Sequence, residues 1–331
     1  MVYKACVIGL GNVGAKYDMP PNTLSGNSHA GAIKLNSVTK LCGGADHDQT
    51  QREAFAKYFG CPVFDNCENL YNHVQPDIVC VAVPSEHQFS ICLSAVKANV
   101  KIVICEKPFI KDLKLASEIV ELCEKKDVIL VVNHWMRWSK KWQKVKQLLD
   151  SGSLGSIQKV RYIYSKGVFN SGTHAFDILR YLFGEPIKVV ADSAMDIDTG
   201  EKNIDGRIFF ENDLIISIAT LNFQYHFTTE CDIIASKGRI LIHDRGLDYW
   251  NTTTNDGVKF LTPSFVPFSM DEKDFPFIQL LQETIDSFES GKTNIRCTGT
   301  DGIKSVLIAK AFMKSFVHGG KEISLKGKIN V

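Results

Sequence analysis

Residues 2–14 read Val2-Tyr3-Lys4-Ala5-Cys6-Val7-Ile8-Gly9-Leu10-Gly11-Asn12-Val13-Gly14, an apolar strand-like run that passes without a break into GxGxxG. Each glycine has a physical task in such a turn. Gly9 permits the tight bend, Gly11 lets the backbone approach a pyrophosphate, and Gly14 allows close packing of helix on strand. The helix that follows offers free N–H groups and a positive dipole end to phosphate. Glycine turns are common, but one placed directly after an N-terminal apolar strand predicts a dinucleotide site formed by residues 9–14. Leu10, Asn12 and Val13 belong to it with the glycines.

Outward from this stretch, the first third of the chain alternates short apolar runs (3–8, 39–45, 77–83, 101–105, 128–132) with helical patterns such as 49–59 and 113–125. Continuous apolar strands separated by amphipathic helices imply a doubly wound parallel sheet covered on both faces. Residues 17–28, with Pro20-Pro21 and Gly26, form a loop just past the phosphate turn, either a cover for a cleft or an inert insertion. After a helix at 138–151 the pattern changes. Strands are expected at 157–164, 187–195, 204–210, 214–221, 229–235, 239–244 and 248–252, with Asn212-Asp213 and Lys237-Gly238 supplying turns for an antiparallel meander. Two late helices follow, one with Phe277, Leu280, Leu281, Ile285 and Phe288 on its apolar face. The expected division is a Rossmann domain at 1–135 and a substrate or oligomerisation domain at 136–331. The last helix, about 301–318, is a candidate to pack back on the first domain.

Composition narrows the function. The 331 residues carry 38 Lys+Arg against 37 Asp+Glu, a net charge of +1, so no global field recruits nucleic acid or an anionic membrane. Met1-Val2-Tyr3-Lys4 enters the first strand at once, without the n-region and h-region of a secretory leader. No apolar run approaches a membrane span, and a cytoplasmic location is expected. The ten cysteines form no CxxC pair and no ligand spacing; Cys6, Cys80 and Cys105 sit inside apolar strands, which reads as small buried hydrophobes with no metal.

Asp46 falls at the end of the second strand, where an acidic side chain accepts from both ribose hydroxyls of NAD and repels a 2′-phosphate. No basic residue follows until Arg52. Cys105-Glu106-Lys107-Pro108 stands at the C-terminal end of a later parallel strand, the edge at which open sheets bind ligands. A lysine there can donate to a substrate hydroxyl or carbonyl oxygen, or simply be solvated.

Taken in order, Gly9 to Gly14, Val83-Pro84-Ser85-Glu86-His87, Cys105-Glu106-Lys107-Pro108 and Gly172-Thr173-His174-Ala175-Phe176-Asp177 resemble the glucose–fructose oxidoreductase, inositol dehydrogenase and MocA family over nearly the whole chain. The resemblance implies an N-terminal Rossmann domain, a C-terminal domain with a large, mostly antiparallel open sheet, and a homodimer or homotetramer built through that sheet. It also implies NAD(P)-dependent oxidation or reduction of sugars, inositols or nucleotide-sugar-like alcohols, with NAD the expected cofactor. In this carry-over Lys107 holds the reacting oxygen and His174 is the acid–base group. Val83, Pro84, His87 and Glu106 lie along the cofactor, while Asn133, Arg137, Asn170 and Tyr164 line the substrate cleft. Asp177, expected early in a helix at 175–183, is read as structural.

Two departures stand out. Many relatives carry Asp four residues before the histidine; this chain has Asn170, an amide that takes no proton. His87 follows Pro84 by three residues instead of four. Two other activities fit the same fold: a NAD-using glycosidase or lyase, and a non-catalytic ligand sensor.

Overall fold

The computed structural model describes residues 1–198, 200–265, 274–291 and 295–327. It comprises two compact units, Met1–Ser139 with Phe275–Ile303, and Lys140–Asp274 with Lys304–Val331. The expected division put 136–331 in the second domain, with the last helix a candidate to pack back on the first; here Phe275–Ile303 groups with the first unit and Lys304–Val331 with the second.

The first unit runs β1 (Tyr3–Ile8), α1 (His29–Leu35), β2 (Thr39–Ala45), α2 (Gln49–Phe59), β3 (Val63–Phe64), α3 (Cys67–Val74), β4 (Ile78–Val81), α4 (Ser85–Lys97), β5 (Ile102–Cys105), α5 (Leu113–Lys125) and β6 (Ile129–Val132). Its sheet has the order β3-β2-β1-β4-β5-β6 with every pairing parallel. Every residue of β4 and β5 is buried, as strands covered on both faces require. The strand order reverses between β1 and β4, and the glycine turn leaves β1 at that switch point, where doubly wound sheets bind ligands.

The helix expected directly after the glycine turn is interrupted. Val13 and Gly14 present carbonyls that an uninterrupted helix would satisfy with residues 17 and 18. Here they accept from the N–H groups of His29 and Ala30, at 3.0 and 2.9 Å. Residues 17–28 are therefore an insertion within one helical stack, and α1 continues the ladder beyond it. The buried Asp18 stakes the insertion. Its carboxylate accepts from the backbone N–H groups of Ser25, Gly26 and Ser28 at 2.6, 2.9 and 2.6 Å, and from the Ser28 hydroxyl at 2.7 Å.

The second unit holds α6 (Lys140–Asp150), β7 (Ile157–Tyr164), α7 (Ser171–Phe183), β8 (Pro186–Asp196), β9 (Lys202–Phe210), β10 (Ile215–Thr220), β11 (Glu230–Ala235), β12 (Gly238–His243), β13 (Gly246–Asn255) and β14 (Val258–Ser264). Then come α8 (Pro276–Ser290) in the first unit, α9 (Gly299–Val317), and β15 (Ile323–Ser324) in the second. The nine-stranded sheet has the order β14-β13-β12-β11-β7-β10-β9-β8-β15. It is not the single meander expected. β7 lies in the middle, antiparallel to β11 but parallel to β10, so two meanders flank the first strand of the unit. β14 and β15 were not anticipated. One face of the sheet packs on α7 and α9, where Phe176 stacks on Phe312 with centroids 5.2 Å apart.

α8 closes the first unit. Leu280, Leu281 and Ile285 enter its core, Gln282 accepts from Asn36 at 2.9 Å, and Tyr3 donates to Glu289 at 3.1 Å. Among the described residues no helix is long and apolar enough to cross a membrane.

Candidate cofactor and active site

The glycine turn has the shape its sequence implies. Gly9 has φ +88°, and a Cβ there would come within 2.4 Å of the Ala82 carbonyl oxygen; at Gly14 it would come within 1.9 Å of the Gly9 oxygen. A Cβ on Gly11 would meet nothing within 4 Å. The first and third glycines are thus demanded by the protein's own backbone, and the second leaves open space above the turn for a ligand backbone. A cleft of about 590 Å³ opens there, lined by Gly9, Gly11, Asp46, Val83, Pro84 and His87 among others. The residues present fit a dinucleotide. Of the remaining turn residues, Asn12 is exposed, Val13 gives its carbonyl to α1, and Leu10 buries its side chain in the core.

Asp46, the first residue past β2, is held by its surroundings. Its Oδ2 accepts from the Leu10 N–H at 2.7 Å, and its Oδ1 accepts from the Asp48 N–H at 2.9 Å. Arg52, the first basic residue after it, donates to the backbone carbonyls of Asp46 and His47 at 2.8 and 2.9 Å. The carboxylate therefore ties the second strand end to the glycine turn.

At the end of β5 the sequence turns through Glu106, Lys107 and Pro108, with the Lys107–Pro108 bond cis. Lys107 is half-buried. Gln88, buried on α4, clamps the turn from both sides: its amide N–H donates to the Glu106 carbonyl at 2.9 Å, and its carbonyl accepts from Ile110 N–H at 3.0 Å. The Glu106 carboxylate is buried, and its Oε1 accepts from His29 Nε2 at 2.9 Å and from Asn133 Nδ2 at 2.6 Å. Burial works against the His29 imidazolium, but the Cys80 sulfur and the Glu106 carboxylate beside it win and raise His29 to about 10. Burial likewise works against ionised Glu106, yet His29 and Asn133 hold it below the usual carboxylate range.

Arg137 does not present its guanidinium as a cleft residue. It donates to the Arg296 carbonyl at 2.6 Å and to Asp301 at 3.1 Å, tying the turn after β6 to the start of α9. Tyr164 also leaves the expected set. Its ring is buried edge-on to Phe176, and its hydroxyl lies between the N–H and carbonyl of Ile204 at 3.3 and 3.4 Å. Strand alternation turned this tyrosine to the core.

His174 is half-buried in the first turn of α7, which begins at Ser171 and not at 175. The early start has a cause. Glu201 accepts from the N–H groups of Phe169 and Asn170, both at 3.2 Å, and the Thr173 hydroxyl bonds the Phe169 carbonyl at 2.7 Å. Asn170 stands at the N-cap position of this helix without a side-chain capping bond. Asp177 consequently sits in the second turn, buried and 3.6 Å from Arg180, which in turn grips Glu185.

Sequence reading missed three residues of this machinery: His29, Gln88 and Glu201. Ser28 was the available signal for the first, because a serine N-cap before an Ala/Ile run marks a helix restart. No local pattern announces the other two.

Comparison with known proteins identifies the family and the fold. The oxidoreductase family with an NAD-binding Rossmann fold, GFO/IDH/MocA, matches residues 3–134, and the GFO/IDH/MocA C-terminal domain matches residues 142–241. The chain belongs to the GFO/IDH/MocA family; it is an oxidoreductase, and its first unit is an NAD-binding Rossmann domain. It resembles uncharacterized oxidoreductase C115.03 of Schizosaccharomyces pombe at 29% identity, over 43% of this chain and 44% of that one. It also resembles the myo-inositol 2-dehydrogenase of Thermotoga maritima at 24% identity, over 93% of this chain and 95% of that one. Among solved structures, an oxidoreductase from Agrobacterium radiobacter, in complex with NAD+, L-tartaric acid and magnesium, shares the fold. Its TM-score is 0.75 at 20% identity, covering 98% of both chains.

Proposed function

We propose that this chain transfers hydride between NAD and a secondary alcohol, or the corresponding ketone, of a sugar or cyclitol. The observation that carries the reading is Lys107, half-buried at the ligand end of β5 in a turn clamped by Gln88. The glycine turn, Asp46, Val83, Pro84 and His87 would hold the cofactor along the cleft, with Glu106 toward its nicotinamide half. Bound NAD supplies the hydride acceptor or donor. The proton falls to the chain. Lys107 would hold the reacting oxygen through an N–H donor, and His174 would take or return the hydroxyl proton. Asn170 can bond a hydroxyl or orient His174 but carries no proton. Asn133 remains a candidate for the ligand side of the β6 end.

The name of the myo-inositol dehydrogenase relative supports a polyol substrate, and nucleotide sugars belong in the same screen. Following nicotinamide absorbance across free sugars, inositols and nucleotide sugars tests the reading. A panel that binds but never turns over would favour a sensor. Self-association through the second sheet is part of the proposal, supported by Ile215, Val258 and Phe260 exposed on its strands; light scattering checks it.

A further inference from the structure

Three buried polar side chains from separate parts of the first unit meet behind Lys107: His29 at the start of α1, Glu106 just past β5, and Asn133 just past β6. The donor inventory fixes how they face one another. A carboxylate only accepts, so Glu106 takes N–H groups from both neighbours, and the Asn133 amide must turn its Nδ2 toward Glu106. That leaves Asn133 Oδ1 as the atom the amide can offer elsewhere. This oxygen is buried and, among the described residues, has no hydrogen-bond partner. An unmet buried acceptor is costly to leave unmade, and this one stands at the strand ends where the sheet receives ligands. The Phe277 ring packs against His29 in a T-shaped arrangement, with centroids 5.2 Å apart.

We propose that Asn133 Oδ1 accepts from a donor on the nicotinamide half of NAD, and that His29 is the positioning residue that holds the Asn133 amide that way round through Glu106. The proposal rests on the reading that the nicotinamide half lies at the β5–β6 end. That half carries two donors of the right chemistry, the carboxamide N–H and the ribose hydroxyls. His29 itself need not touch the cofactor. Its hydrogen bond holds Glu106 as an acceptor, and an accepting Glu106 leaves Asn133 only one orientation.

Calorimetric titration of NAD+, ADP-ribose and ADP tests this without any substrate. Asn133→Ala should weaken NAD+ roughly tenfold, the scale of one lost hydrogen bond with its desolvation. If ADP-ribose keeps its affinity, the donor is the carboxamide; if ADP-ribose weakens as well while ADP does not, the donor is a ribose hydroxyl. His29→Leu should repeat whichever pattern Asn133→Ala shows, and His29→Gln, which still donates to Glu106, should recover most of the loss. Should His29→Leu not fold, the paired variant His29→Leu/Glu106→Gln takes its place, with the same loss of NAD+ affinity expected. Unchanged affinity for NAD+ in Asn133→Ala overturns the acceptor role, as does an equal loss for all three ligands. Wild-type NAD+ affinity in His29→Leu overturns the positioning role. Wild-type protein that binds NAD+ no better than ADP removes the underlying reading, and that result is separate from either variant.

Discussion

Asp46 and Glu106 occupy equivalent places in one sheet, each the first residue past a parallel strand, and each with a side chain 10% exposed. Their partners differ. Asp46 takes its hydrogen bonds from backbone N–H groups of the glycine turn and of its own loop, and the one imidazole near it, His47 at 3.3 Å, is fully exposed. Glu106 takes one backbone N–H, that of Lys107 at 3.3 Å, but its shorter bonds come from two side chains, one of them a buried histidine that arrives from beyond an insertion. Equal burial therefore conceals different electrostatics. Backbone dipoles stabilise a carboxylate without titrating, whereas a buried cation ties the carboxylate to a second group's protonation. The strand end held by backbone suits binding, and the strand end held by charge stands beside the proposed chemistry.

The largest expected effect lies at the charged end. Lys107→Ala should reduce turnover by about a hundredfold to ten-thousandfold, the range supplied by positioned proton-handling groups, while NAD+ affinity stays near wild type. Steady-state kinetics and calorimetry together check the split. Turnover near wild type on the true substrate would put the chemistry elsewhere and dissolve the contrast between the two strand ends.

Next comes stability. Removing one member of a buried pair leaves an uncompensated charge, so His29→Leu should cost about 3–5 kcal/mol, and adding Glu106→Gln should return part of it. The pH dependence has a definite sign. His29 is raised from 6.5 to about 10, so its contribution is complete below 6.5 and is lost as pH rises through about 10. Glu106 is lowered from 4.5, so its contribution is present above 4.5 and is lost as pH falls through its depressed value. Cys80, Lys107 and Asn133 also bear on the pair. The Tm difference between wild type and His29→Leu/Glu106→Gln should thus be greatest from pH 4.5 to 6.5 and shrink on either side. A flat difference from pH 4 to 10 would mean that the pair is not ionised as described.

The second unit repeats the backbone-held arrangement, since Glu201 fixes the start of α7 through two N–H groups. His174→Ala should cost roughly a hundredfold in turnover, and Asn170→Ala about tenfold, because only the first removes a proton carrier. A larger loss for Asn170→Ala would reverse the assignment.

What the sequence disclosed follows the same division. The glycine turn, the buried strands and Asp46 were legible because their determinants are local: a turn geometry, a two-sided burial pattern, a strand end. Lys107 was visible only as a motif, since nothing near it in sequence speaks of Gln88. His29 was hidden because the insertion at residues 17–28 separates it from the turn whose carbonyls it completes. Tyr164 was misassigned because alternation fixes which residues share a face but not which face meets the core. The position of β7 between two meanders was equally illegible, as strand order depends on pairing far along the chain.

The smallest effect, and the sharpest use of the comparison, concerns Asp46. Wild-type protein should bind NAD(H) more tightly than NADP(H), because a carboxylate at the ribose repels a 2′-phosphate. If its only task were that repulsion, Asp46→Ser would convert the preference. The bond from Leu10 N–H to Asp46 gives a different expectation: the variant should weaken NAD+ roughly tenfold through the loosened glycine turn, and NADP+ should not gain in proportion. Arg52 gives no help, since its guanidinium already serves the carbonyls of Asp46 and His47. Titrating both cofactors into both proteins decides it. Tighter NADP+ binding by wild type would refute the role of Asp46. A full switch to NADP+ in Asp46→Ser would show that the backbone bond contributes little, leaving Asp46 a reader of the ribose and nothing more.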